Sequence, residues 1–236
     1  MNDTQNLEQR TESIRIQIMQ RYEALGTITT SKAVLKIARP LLKLMPEDED
    51  EFIDLCDELM QTREWIMLQL ITTWIKTRKT LYQMKYFSTY QDWLYNYAND
   101  WGSCDILCYR VLNPMVEKFP KLYQTVKRWA ISDKIYTRRA SAVCLLNSSG
   151  FSFSVHVPFE WVEQICNIHK QDKHIHIQKG IGWLLKYAYL TYPVRTEKYL
   201  RSNLSILSRT TYRYALEKME PEKRSYYMKL TNPSKK

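Results

Sequence analysis

The sequence is short of the residues that interrupt helices. Its 236 residues include only 5 glycines and 8 prolines, so little of the chain is suited to turns. Leucine, lysine, methionine, glutamine, glutamate and arginine are plentiful, a mix that favours helix. There is no run of about 18 uncharged apolar residues, and so no transmembrane helix is expected. Met1-Asn2-Asp3-Thr4 lacks the basic-then-apolar pattern of a secretory signal. The five cysteines (Cys56, Cys104, Cys108, Cys144 and Cys166) are odd in number and mostly lie in apolar helical contexts. They are expected to be buried free thiols in a reducing, intracellular compartment. No Walker-type loop and no Gly-x-Ser-x-Gly elbow is present, which leaves nucleotide hydrolysis and serine-hydrolase chemistry without support. The group Cys166-x-x-His169…His174-x-His176 has no common structural zinc spacing. Neither a metal site nor a cofactor is expected.

What is present is an uneven charge. The net charge is +10, but residues 1–100 carry 12 lysines and arginines against 15 acids, whereas residues 101–236 carry 23 against 10. A second half this basic, studded with Trp and Tyr, suggests a phosphate-backbone partner. Basic charge is also compatible with a protein that is merely soluble.

Apolar residues recur at helical spacing almost throughout. Ile14, Ile16, Ile18 and Met19 begin a helix that Gly26 stops, and a second covers about 31–44. Pro46 and the acids after it suit the N-terminus of a third, and a long apolar helix covers 62–78. Further helices are expected near 86–98, 103–112, 119–130, 134–146, 158–169, 175–190, 195–202 and 208–218. The strand-like run Phe151–Val157 is short and alone, and reads as an extended connection. The expected fold is an all-α solenoid of antiparallel helix pairs with a concave basic groove. It is expected to be a single domain over 1–236, with acidic helices over 1–100, a basic part over 101–220, and a frayed basic tail over 221–236.

One constellation is specific. In Trp101-Gly-Ser-Cys-Asp105, the aromatic ring and the carboxylate lie at i and i+4 and share a helix face. An acid facing a groove suited to a polyanion repels the phosphates that its neighbours attract, so it needs a task there, such as stabilising a cation that forms during a reaction. Trp129-Ala-Ile-Ser-Asp133, Tyr136-Thr-Arg-Arg139-Ala and Gln178-Lys-Gly-Ile-Gly-Trp183-Leu-Leu-Lys186 follow in order.

Trp101–Asp105, the run from Trp129 to Ala140 and Gln178–Lys186 together resemble the AlkD-type alkylpurine DNA glycosylases, which are built of HEAT-like helical repeats. The resemblance covers about residues 90–215, and the first 90 residues only in helical pattern. It implies that Asp105 is the catalytic carboxylate, that Trp101 and Trp183 pack on the sugar and backbone of the damaged nucleotide, and that Arg139 holds phosphate. Lys186 stands where the family has an arginine, keeping the charge but losing the planar fork. Ala24-Leu25-Gly26 stands where a Tyr-Phe-Gly-like motif is expected. The implied partner is double-stranded DNA with alkylated purines, bound by a monomer without an extruded-base pocket.

The residues suit this chemistry in their own right. An N3- or N7-alkylated purine is already cationic and leaves without a general acid. A carboxylate can oppose the charge developing on the sugar and orient a water, and aromatic faces favour a cation. Each residue also has a plainer reading. Asp105 could be a helix-start carboxylate, Trp101 and Trp183 could be core, and Arg138 and Arg139 could be a solvated pair. Trp65, Trp74, Trp93 and Trp161 are assigned to the core, and Trp129 to a structural role. A non-catalytic protein of the same fold that binds unusual or branched DNA is the rival reading. A scaffold for protein partners would explain neither the basic half nor the Trp–Asp pair.

Overall fold

The computed structural model describes residues 3–26, 31–147 and 154–230. It is all-α, as expected: among the described residues there is no strand, only a single antiparallel bridge between Leu146 and Val155. Residues 151–153 of the strand-like run lie outside the described residues. No described helix is long and apolar enough to cross a membrane.

The chain divides into two compact units at Tyr97 and Ala98, beside the charge boundary. The first contains α1 (Asp3–Glu23), α2 (Ser31–Leu42), α3 (Glu49–Gln61), α4 (Trp65–Thr77) and α5 (Phe87–Tyr97). α1 begins eleven residues before the apolar periodicity does, on a polar stretch. The acids after Pro46 act as expected: Asp48 Oδ1 accepts from the N–H groups of Asp50 and Glu51, and Glu49, Asp50 and Glu51 fill the first turn of α3. Trp74 and Trp93 are fully buried, and their indole N–H groups donate to Ala38 O and Asp57 Oδ1. Trp65 departs from the core assignment. It is the first residue of α4, on an end turn facing solvent, and is 39% exposed.

The second unit contains α6 (Trp101–Leu107), α7 (Asn113–Lys118), α8 (Tyr123–Trp129), α9 (Ile135–Val143), α10 (Phe159–His169), α11 (Ile175–Thr191), α12 (Pro193–Ser202), α13 (Arg209–Ala215) and α14 (Pro221–Leu230). A π-turn, Cys108–Leu112, joins α6 to α7 without leaving helical backbone. α11 is central, packing on α9, α10, α12 and α13. Trp129 is buried, and Trp161 stacks on Tyr123 at 3.9 Å. The frayed tail is corrected over its first part. Pro221–Leu230 is helical because Tyr227 buries its ring fully and its hydroxyl accepts from Arg201 Nε at 2.8 Å; residues 231–236 lie outside the described residues. All five cysteines are buried free thiols.

Candidate active site

The site starts with a cap. Asp100, not Asp105, is the carboxylate at the start of α6. Its Oδ1 accepts from Ser103 N at 2.7 Å, and Ser103 Oγ accepts from Asp100 N in return. The helix-start explanation of Asp105 therefore fails. One turn further on, Asp105 is buried and meets Arg139 of α9 through two parallel bonds. Arg139 Nε donates to Oδ1 and Nη2 to Oδ2, both at 2.8 Å. Arg139 Nη1 donates to the backbone carbonyl of His176 at 2.6 Å, so the guanidinium ties α6 to the start of α11. It is 5% exposed.

Burial pushes the Asp105 carboxyl above its ordinary value, while the hydrogen bonds and charge of Arg139 pull it down. Burial also works against the Arg139 charge, but the bonds to Asp105 outweigh it and raise its pKa. Each ion is therefore the condition for burying the other.

Of two glycines in α11, one is required for the helices to come this close. A Cβ at Gly180 would lie 3.4 Å from Arg139 Nη1, and one at Gly182 only 2.5 Å from Tyr214 Cβ and 2.7 Å from Thr211 O. Glycine inside a helix costs about 1 kcal/mol relative to alanine. At Gly182 that cost is exchanged for close packing of α13 on α11, which sets Tyr214 beside the site.

The result is a cleft of about 330 Å³ lined by Trp101, Asp105, Arg139, His176, Lys179, Trp183, Lys186, Tyr187 and Tyr214. All five residues singled out in the sequence thus line one cleft. Trp101 stands at its edge, 58% exposed. Trp183 is half-buried, its ring edge-on to Tyr109 at 5.6 Å and 5.9 Å from the Arg139 guanidinium carbon. Lys186 pairs with Glu217 at 2.6 Å and sits over the Tyr187 ring.

Residues 4–219 match the family model described as DNA alkylation repair enzyme. The chain belongs to the DNA alkylation repair enzyme family. No curated protein matches it. Membership places the protein in DNA repair, with DNA as its substrate, and accounts for the basic second half.

In this DNA alkylation repair enzyme, sequence reasoning missed Lys179, Tyr187 and Tyr214 as cleft residues and met His176 only as part of a rejected metal motif. The other members of that motif lie elsewhere. His174 Nδ1 accepts from His176 N at the start of α11. Cys166 is buried, and burial raises its thiol pKa. His169 Nε2 lies 2.9 Å from Ser141 Oγ. Because that hydroxyl donates to Arg138 O, Nε2 must carry the proton. Ser141, His169 and Asp172 have the residue types of a hydrolytic triad. The Ser141 and His169 side chains are buried, however, and His169 Nδ1 stands 4.0 Å from Asp172, so they form a structural link between α9 and α10.

Proposed function

We propose that the protein is a monofunctional DNA glycosylase that hydrolyses the N-glycosidic bond of cationic alkylated purines, of the 3-methyladenine and 7-methylguanine type, in duplex DNA. The observation that carries this reading is a buried carboxylate, fixed in orientation by a two-bond arginine fork, inside a cleft with exposed aromatic faces. The alkylated base is its own leaving group. The remaining demand is for groups aimed in advance at the charge developing on the sugar. Asp105 supplies the negative end, and Trp101 and Trp183 supply aromatic faces for the sugar and backbone. No lysine is assigned a Schiff-base role, and strand cleavage is not part of the reaction.

Arg139 has five N–H donors, of which three are engaged with Asp105 and His176 O. The two that remain are directed at a phosphate beside the lesion, so the residue both positions Asp105 and grips the strand. Lys186 adds a second phosphate contact as a point charge. The enzyme works as an intracellular monomer, without a cofactor, on the damaged nucleotide's sugar and backbone.

The test is release of free 7-methylguanine and 3-methyladenine from methylated duplex DNA by the purified chain. Release above the spontaneous rate, lost in Asp105→Asn, is the expected outcome. Tight duplex binding without release would instead make this a non-catalytic DNA-binding member of the family.

A further inference from the structure

We propose that His176 is a further catalytic residue, taking the proton from the water that attacks the sugar. The proposal rests on the glycosylase reading above. In that hydrolysis the C1′–N bond breaks, and its electron pair passes to the alkylated ring nitrogen, which neutralises the base. The C1′–O bond forms from a lone pair of water, and one proton must then leave that oxygen.

Asp105 is badly placed to receive it. Both its oxygens accept from Arg139. Burial favours a proton on this carboxyl, but that proton would leave a guanidinium that is 5% exposed without its counter-ion and loosen the fork that orients both residues. Lys179 and Lys186 are ammonium groups with no lone pair to offer, and tyrosine hydroxyls and indole rings are not bases near neutral pH. Of the residues lining the cleft, this leaves His176.

Its position fits the task. Among the described residues nothing hydrogen-bonds to either nitrogen of its ring. Its backbone carbonyl accepts from Arg139 Nη1, so it is held to the same guanidinium that holds Asp105. The ring packs 5.8 Å from Tyr136 of α9 and 5.5 Å from His174, the N-cap residue of its own helix. The titratable and charged groups around it are Tyr136 and Arg139 of α9, His174 at the N-cap of α11, Lys179 of α11, and Asp105 of α6. Burial, then Arg139, His174 and Lys179, hold its pKa below the ordinary histidine value, with Asp105 opposing. A depressed value keeps the imidazole neutral, with a lone pair free, at neutral pH. The function is lost as pH falls through that value.

The experiment is single-turnover release of 7-methylguanine from methylated duplex DNA across about pH 5 to 8. It compares the full chain with His176→Ala and His176→Gln, with and without added imidazole. Both variants should lose about 10²-fold at neutral pH and the histidine step of the pH profile, and imidazole should restore His176→Ala in proportion to its neutral fraction. A full rate in His176→Ala would assign the proton to bulk water and overturn the proposal. Slow variants that imidazole leaves slow, or that glutamine restores, would reduce His176 to a positioning role and overturn it equally. If wild type releases no base, the glycosylase reading itself fails and takes this proposal with it.

Discussion

Each unit sets a tryptophan near an aspartate, with opposite results. In the first unit the Trp93 ring is fully buried, and its N–H donates to Asp57 at 2.6 Å. The carboxylate there satisfies a polar atom that burial would otherwise strand. In the second unit Trp101 and Asp105 share α6, but Asp105 turns to Arg139 and the Trp101 ring is left 58% exposed. The difference teaches how to separate a structural pair from a functional one. A pair that satisfies itself contributes to stability alone. A pair whose aromatic face stays open, and whose carboxylate needs a third residue to remain buried, is arranged for something that arrives from outside.

The largest expected effect breaks the comparison if it fails. Trp74→Ala and Trp93→Ala should each lose about 3–5 kcal/mol of stability, whereas Trp101→Ala should unfold within about 1 kcal/mol of wild type and still lose base release. Thermal unfolding and release assays on the same preparations decide it. If Trp101→Ala unfolds like Trp74→Ala, the open face is an ordinary core position.

Next comes the carboxylate. Asp105→Asn should slow base release by about 10²–10³, and Asp57→Asn should leave the rate unchanged. Because asparagine strands the Arg139 charge, Asp105→Asn should also destabilise by up to about 3–5 kcal/mol. Adding Arg139→Gln should recover much of that stability and none of the rate, an outcome that separates folding from chemistry. In His176→Gln, which lacks the histidine step, the residual rate should still fall as pH drops and Asp105 protonates. Burial places that acid limb above the ordinary carboxylate range. A limb at the ordinary value would mean that Asp105 is not the group being titrated.

Two glycines sharpen the picture at a smaller scale. Gly182→Ala should cost about 1–3 kcal/mol, since its Cβ would meet Tyr214 and the Thr211 carbonyl. Gly180→Ala, with its nearest neighbour at an ordinary 3.4 Å, should be neutral or stabilise by up to about 1 kcal/mol, and urea unfolding measures both. The smallest effect is Lys186→Arg, which should tighten duplex binding a few-fold at most, because a fork can hold Glu217 and a phosphate together. Weaker binding would indicate that Lys186 does not reach the strand.

Much of this was legible in the chain. Scarce glycine and proline together with apolar periodicity lead to the helices, and helical spacing alone puts Trp101 and Asp105 on one face. The fork was not legible, because Asp105 and Arg139 are 34 residues apart and nothing local marks a carboxylate and a guanidinium as partners. Read separately, one looked catalytic and the other phosphate-holding. His176 stood in a histidine-rich link whose spacing was weighed for metal alone, and Tyr214 reaches the cleft only through the close approach at Gly182. The helices at 113–118 and 221–230 were missed because the first is short and the second is polar, with Tyr227 its one buried side chain.

The π-turn at Cys108–Leu112 has a consequence for register. Asp105 bonds to Arg139, and Asn113 Nδ2 donates to the carbonyls of Val143 and Leu146, at and just beyond the end of α9. Eight residues of regular α-helix would point these two side chains about 80° apart, but the extra residue absorbed by the wide turn brings them within about 20°. The run from Trp101 to Lys118 thus grips α9 at two points along a single edge. Removing one residue between Cys108 and Leu112 would restore regular helix and keep both grips, whereas adding one would swing the Asp105 end of the run about 100° away from its arginine. In this segment the length of the chain is as much a part of the site as the identity of its residues.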